Sequence, residues 1–315
     1  MQGGEGNPDI SVVSPVYGCA GCLEDLVDRI GLAMASLGRS HEIILVDDAS
    51  PDGAWERIVE ISSVNPAVRG FHLSRNFGQH AAISAGLEQI RGGVVVVMDC
   101  DLQDLPEEIP GLVLALEGDS QIALASRMER KDGLIKRIGS SAFYAILRRL
   151  TESDYDPTVA NFGAYTRKVI DVVNAMPESD RFFPLLVRWT GFKSVIVPVN
   201  HGQRAHGRSG YSFGRLLRLA LNVALSYSDK PLRMVVKSSV VFAVFALFIA
   251  GYSVYRYVIG DIQVAGFTSI IASIWLVGSV VVSCIGITGL YLGRLYNQVK
   301  GRPHFIVSDS TGGRG

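Results

Sequence analysis

The sequence predicts an α/β fold: a mostly parallel sheet with helices on both faces, followed by an interfacial amphipathic helix and two transmembrane helices. Three observations predict it. Strand-like and helix-spaced runs alternate through the first part of the chain. The strand runs are continuously apolar, as in strands buried on both faces. Charge, dense up to about Lys237, is absent from Ser238 to Tyr255 and again from Ile262 to Gly293.

Taken in order, DISVVSPVY (Asp9 to Tyr17) reads as a buried strand. LEDLVDRIGLAMASL (Leu23 to Leu37) has helical spacing, and HEIILVDDAS (His41 to Ser50) is a strand ending in two aspartates. AWERIVEISSV reads as a helix, VRGFHLS as a strand, HAAISAGLEQIRG as a helix and GVVVVMD as a strand. In sheets built this way ligands bind beyond the carboxyl ends of the strands. Pro15 and Tyr17, Asp47 and Asp48, and Asp99 and Asp101 all fall at such ends, so they are expected to converge on one crevice.

Each charge-free segment can cross a hydrocarbon core, which takes roughly 20 helical residues; two buried helices of a soluble core are the alternative. Lys230, Arg233 and Lys237 precede the first segment, and Arg294, Lys300 and Arg302 follow the second. The connection holds only Asp261 and, nearby, Arg256. Both ends of the hairpin are therefore expected on the cytoplasmic side. The opening MQGGEGNPDI shows no signal-peptide pattern and is expected to be disordered. Formal net charge is zero over 315 residues, so no basic excess marks nucleic acid as a partner. Cys19 and Cys22 form a CxxC with no second pair to complete a zinc site. A redox pair is conceivable, but unreactive cytosolic thiols are the expectation.

Asp99 and Asp101, two apart at a strand end, could both reach one ion, and Gln103 adds an amide oxygen. An all-oxygen set suits Mg²⁺ or Mn²⁺. Cys100, between them, would point the other way in an extended segment. Mg²⁺ keeps positions open for water or substrate phosphates, so a nucleotide diphosphate is the natural guest. The same acids could instead cap the helix begun by DLPEEIPGL, and the motif alone does not choose. Neither GxxxxGK(S/T) nor GxGxxG after a strand is present, which argues against a P-loop kinase or a dinucleotide enzyme.

SVVSPVY, ILVDDASPDGAWERI, LSRNFGQHAAISAGLEQIRG, VVMDCDLQDLPEEIP and ASRMERKD come in the order and spacing of glycosyltransferase family 2, which the chain resembles. RAHGRSGYSFGRLLRLALNVALSYSDKPLR before two spans is similar to the polyprenyl-phosphate glycosyltransferases of that family. The resemblance implies a GT-A fold and metal-dependent, inverting transfer of a sugar from a nucleotide sugar to polyprenyl phosphate. By analogy alone the donor is a UDP-hexose. It implies Asp99, Asp101 and Gln103 as metal ligands, and Asp99, Asp101, Arg127 and Asn161 as the catalytic set. Pro15, Tyr17, Asp47, Asp48 and Arg75 would bind the nucleotide sugar. Arg127, Arg204, Ser209 and Tyr211 would meet the acceptor phosphate. The chain departs from the family pattern at Gly18 and Cys19, where Asn and Glu are common, at Gly210 in place of Lys, and at Asn161 in place of Asp.

The last departure has a chemical consequence. A sugar hydroxyl acceptor needs a general base, whereas a phosphate monoester is largely dianionic at pH 7. An amide at Asn161 therefore suits a lipid phosphate acceptor; a sugar hydroxyl contact or a helix cap is the alternative role. FGRLLRLALNVAL places Phe213, Leu216, Leu217, Ala220, Leu221, Ala224 and Leu225 on one helical face, as an interfacial helix would. AFYAILRRL is a shorter second candidate. Gly278, Ser279, Ser283, Gly286, Gly289 and Gly293 on the second span suit close helix packing, within one chain or in a homo-oligomer. The expected organisation is a disordered 1–8, a catalytic domain 9–210, an amphipathic helix 211–233, spans 234–258 and 267–293, and a cytoplasmic tail 294–315, in a bacterial inner membrane. A family 2 enzyme with another membrane acceptor and a non-catalytic membrane scaffold are the competing readings.

Overall fold

The computed structural model describes residues 7–127, 159–178, 181–200, 202 and 266–311, with individual positions from 237 to 259. The chain forms two compact units. Residues 1–132, 156–210 and 302–315 make up the first, and 133–155 with 211–301 the second.

The first unit holds one eight-stranded sheet in the order β7-β5-β6-β4-β1-β2-β3-β8. Its strands are β1 (Ile10–Val16), β2 (His41–Asp47), β3 (Val68–Leu73), β4 (Val94–Val97), β5 (Ile122–Arg127), β6 (Val159–Thr166), β7 (Ser194–Val199) and β8 (Val307–Ser310). β1 pairs parallel with β2 and β4, β2 with β3, and β5 with β7; β6 runs antiparallel to both β4 and β5, and β8 to β3. The mostly parallel α/β sheet read from the sequence is present.

Helices α1 (Leu23–Leu37), α2 (Ala54–Val64) and α4 (Ile109–Leu114) share one core with Val12 of β1 and Leu45 of β2. α1 buries Leu23, Leu26, Val27, Ile30 and Met34, spaced to form one stripe. On the other face lies α3 (Gln79–Leu87), so closely seated that Gly86 cannot be replaced freely: a Cβ there would stand 2.5 Å from Val13 Cγ1. The small residues of α3 let it sink onto the sheet, joined by α5 (Arg167–Asn174) and α6 (Phe183–Trp189).

Near the amino ends of β1 and β2, a buried carboxylate ties strands together. Glu42 accepts from the Ser11 hydroxyl (2.7 Å), the Arg91 N–H (2.7 Å) and the Arg69 guanidinium (2.9 Å). A charge buried this deeply is tolerable because each oxygen has partners. The polar crevice must therefore lie at the opposite edge.

In the second unit, α7 (Phe267–Val299) contains an 18-residue window, Leu276–Gly293, of mean hydropathy 1.9. Among the described residues it is the one helix long and apolar enough to cross a membrane. The expected first span, the amphipathic segment at 213–225 and the AFYAILRRL stretch lie largely or wholly outside the described residues.

The stretch read as a simple tail contributes β8. Besides the strand register, Ser74 N–H donates to Ile306 O (2.9 Å), Gly70 N–H to Thr311 Oγ1 (2.7 Å), Thr311 N–H to Gly70 O (2.9 Å) and Ser308 Oγ to His72 O (3.1 Å). Deleting residues 305–315, and with them these four hydrogen bonds, should lower the melting temperature by roughly 8–16 °C. That follows from about 1 kcal/mol per net hydrogen bond and about 2–4 °C per kcal/mol for a domain of this size. Differential scanning fluorimetry of the detergent-solubilised chain checks this; an unchanged melting temperature would mean that β8 adds nothing to the sheet.

Candidate active site

Because β1, β2, β3, β4, β5 and β7 all run the same way, their carboxyl ends form one edge. Pro15 is buried in β1, and Tyr17 just beyond is 55% exposed at the mouth. Asp47 ends β2, opposite Val16 of β1. Arg127 ends β5 beside Val199. β6 is inverted, so its amino end reaches this edge: Gly163 pairs with Val97 of β4, and Asn161, two residues earlier, approaches the level of Asp99.

The aspartates at this edge divide by environment. Asp47 is fully buried; its carboxylate contacts His72 Nδ1 at 2.6 Å and accepts the Ser50 N–H at 3.1 Å. Trp55 stacks on His72 at 5.1 Å. Asp48 is also buried and accepts the N–H groups of Phe77 (2.7 Å) and Gly78 (2.9 Å), one on each oxygen. Burial pushes both carboxyls up, and these hydrogen bonds oppose it. Asp48 thus fixes the loop carrying Arg75, whose guanidinium lies 4.0 Å over the Phe77 ring.

Asp99 and Asp101 are only half-buried. Asp99 Oδ1 accepts from Gln79 Nε2 at 2.6 Å, and Asp101 Oδ1 accepts the Gln103 N–H at 3.1 Å. The turn between them is sharp: Leu102 has φ of 60°, a left-handed value that a bulky residue adopts only under constraint. Behind it, buried Asp104 accepts the Asp99 N–H at 3.4 Å. Among the described residues no three His, Cys, Asp or Glu side chains form a ready-made metal cluster. Two carboxylates and the Gln103 amide are hard oxygen donors, and they suit a divalent ion whose remaining positions are filled by water and phosphate.

One expectation about the cysteines is corrected. Cys19 is not a free thiol but is disulfide-bonded to Cys100, with Cα atoms 6.6 Å apart. The two lie 81 residues apart in sequence and meet because β1 pairs with β4. Cys100 does turn inward, away from the half-buried aspartates, but the segment is a turn rather than extended. Cys22 stays unbonded and buried; burial, then the carboxylates of Asp101 and Asp25, push its thiol up.

Two residues that sequence reasoning did not single out also shape the aspartate loop. Gln79 positions Asp99. Gly202 donates its N–H to Gln103 O at 2.9 Å, and a Cβ there would stand 2.6 Å from Leu102 O. A side chain at 202 is thus excluded by the aspartate loop itself. Arg204, two residues on, lies outside the described residues, as do Ser209 and Tyr211 and the side chain of Arg127.

This edge gathers paired acids at the ends of parallel strands, hard oxygen donors of the kind that hold a divalent ion. The chain belongs to glycosyltransferase family 2: the model of that family, Glycosyl transferase family 2, matches residues 11–172. It is a glycosyltransferase. It is 33% identical over 307 residues to the undecaprenyl-phosphate 4-deoxy-4-formamido-L-arabinose transferase of Salmonella paratyphi B, covering 95% of this chain and 92% of that one. An uncharacterised glycosyltransferase of Synechocystis sp. is 31% identical over 305 residues, 96% of each chain. Among solved structures, a mannosyltransferase from Pyrobaculum calidifontis in complex with GDP-Man and Mn²⁺ is similar at a TM-score of 0.48 and 14% identity, covering 94% of this chain and 86% of that one.

The contact at Gly202 yields a prediction. Gly202→Ala should displace the Leu102–Gln103 backbone and reduce turnover about tenfold or more, the scale on which small misplacements at a catalytic site act. The melting temperature should fall by only a few degrees. Turnover equal to wild type would show that this approach does not hold the loop.

Proposed function

We propose that this glycosyltransferase moves a sugar from a nucleotide sugar, a UDP-hexose, to a polyprenyl phosphate, with inversion and with Mg²⁺ or Mn²⁺. The observation that carries the reading is the half-buried Asp99–Asp101–Gln103 loop at the common strand edge of a chain similar along 95% of its length to an undecaprenyl-phosphate sugar transferase.

Asp99, Asp101 and Gln103 would hold the ion, which when bound supplies positive charge to the diphosphate that leaves. Tyr17, exposed at the mouth, and Pro15 would border the base. Asp47 and Asp48 act from behind, Asp47 through His72 and Asp48 through the Phe77–Gly78 backbone, to shape the nucleotide pocket. Arg75 and Arg127, with Arg204, Ser209 and Tyr211, would meet phosphates of donor and acceptor. The acceptor phosphate attacks as its own oxyanion, from the face opposite the leaving diphosphate, so no side chain need take a proton. Asn161 would orient the sugar through its amide.

For the membrane, β8 supports an even number of crossings. A chain that leaves the sheet's unit after residue 210 and re-enters it at 302 must end on the side where it began. Together with α7 and the apolar stretch before it, this supports two spans, with the catalytic unit on the cytoplasmic face of a bacterial inner membrane. The hydroxyls of Ser279 and Ser283 bond carbonyls of their own helix, at Leu276 and Ser279. Their contribution to a homo-oligomer would be small size, not polar pairing.

Incubation of the membrane-embedded chain with labelled nucleotide sugars and polyprenyl phosphate tests the reading. Organic-soluble label is expected, and its absence with every donor would favour a scaffold. Asp101→Asn keeps volume but removes a charge facing the ion, and should cost about 100-fold in turnover, as loss of a main electrostatic stabiliser does. Activity within a few-fold of wild type would remove Asp101 from the metal.

A second prediction follows from Asn161. The rate should follow ionisation of the acceptor phosphate, near pH 6, with no further enzyme base in that range. Asn161→Ala should raise the Michaelis constant for donor more than it lowers turnover. A steep loss of turnover with unchanged donor affinity would give Asn161 a role in the chemical step instead.

A further inference from the structure

The Cys19–Cys100 bond plays no part in the transfer step, but its position is informative. Cys100 stands between Asp99 and Asp101. Cys19 immediately precedes the turn Ala20–Cys22 that leads into α1. That partner segment is itself braced: Gly18 N–H donates to Ser50 Oγ at 2.8 Å, and Ala20 N–H to Asp52 Oδ2 at 2.9 Å. Ser50 in turn donates to Asp52. Burial disfavours the Asp52 carboxylate, but hydrogen bonds from the Ala20 N–H, the Ser50 hydroxyl and the backbone of Asp52 and Ala54 together outweigh it and hold its carboxyl below the usual range. The disulfide therefore fastens the aspartate loop to a fixed neighbour. The loop has a conformation that calls for fastening, since Leu102 is held left-handed at φ 60°.

We propose that the Cys19–Cys100 disulfide is a redox-operated clamp on the metal-binding loop. Closed, it holds Asp99 and Asp101 ready for a divalent cation and a nucleoside diphosphate. Opened by a dithiol, it lets the loop relax and weakens that binding. The inference rests on the metal reading of these aspartates. Opening is a two-electron reduction: the dithiol gives up two electrons and two protons, the S–S bond breaks, Cys19 and Cys100 become thiols, and the dithiol becomes a disulfide. Cys22, unbonded three residues from Cys19, offers an alternative pairing inside the same turn, so the bond must be identified chemically.

The experiment uses the full chain in detergent, oxidised with glutathione disulfide or reduced with dithiothreitol. Non-reducing peptide mapping should recover Cys19 joined to Cys100 in the oxidised sample. Binding of Mn²⁺ in the presence of UDP, followed by electron paramagnetic resonance, should weaken about tenfold on reduction, the order expected for reordering a single backbone residue. Amide exchange over residues 98–104 should accelerate in parallel. Cys19→Ser should bind weakly in both states, and Cys22→Ser should keep the redox response. If Cys19→Ser does not fold, the two redox states of the wild type decide. Equal binding in both states overturns the clamp alone. So does a Cys19–Cys22 bond, or only thiols, after oxidation. Absence of binding in both states overturns the metal reading, and the clamp with it.

Discussion

Parallel pairing of β1 with β2 on one side and with β4 on the other decides where every polar group of this site can stand. The pairing runs the strands in one direction, so chain segments far apart in sequence leave the sheet at one edge. Burial of the strands on both faces leaves no other outlet for polar side chains. The opposite end is closed by the Glu42 network with Ser11, Arg69 and Arg91. Even the inverted strand obeys the constraint, since β6 enters the sheet from that edge and so places Asn161 there by its amino end.

Aspartates gathered at one edge are not equivalent, and burial sorts them. A carboxylate removed from water must be repaid in hydrogen bonds or it will not ionise. Asp48 has both oxygens committed to backbone N–H groups, and Asp47 is committed to His72 and Ser50. Such groups shape loops. Asp99 and Asp101 keep contact with solvent, and neutral amide groups, Gln79 and the Gln103 backbone, are among their hydrogen-bond partners. These are contacts that an ion could supplement or displace at small cost. The division into scaffold acids and chemical acids follows from solvation, although all four sit at equivalent places in the sequence pattern.

Strands β1 to β4, their order of appearance and the convergence of their ends were legible in the sequence because they depend on local periodicity and on the parallel-sheet rule, whereas β5, β6 and β7 were not read from it. What stayed hidden depends on contacts between distant residues. β8 is four residues, Val307–Ser310, with little apolar signal; only the exposed edge of β3 makes it a strand. Cys19 and Cys22 invited a local pairing, whereas the β1–β4 register supplies Cys100 as the partner. Gly202 looks like any loop glycine until the carbonyl of Leu102 is placed against it. Gln79 lies within a motif whose apolar residues drew the attention, yet it is the residue that meets Asp99.

On the proposed reaction, the electrostatic problem also explains an amide where a carboxylate would be familiar. A dianionic phosphate must approach a sugar that still carries a diphosphate. Two like charges 4 Å apart repel by about 1 kcal/mol in water and about 4 kcal/mol at an effective dielectric near 20. The site must therefore add positive charge and avoid adding negative charge. The strand edge offers Arg75 and the chain position of Arg127 toward the first requirement, and a divalent ion would offset the two charges of Asp99 and Asp101. A third carboxylate at 161, level with Asp99, would act against the incoming phosphate while offering a base that the phosphate does not need. Asn161 would keep the hydrogen-bonding shape at that position and omit the charge, a combination that suits an anionic nucleophile.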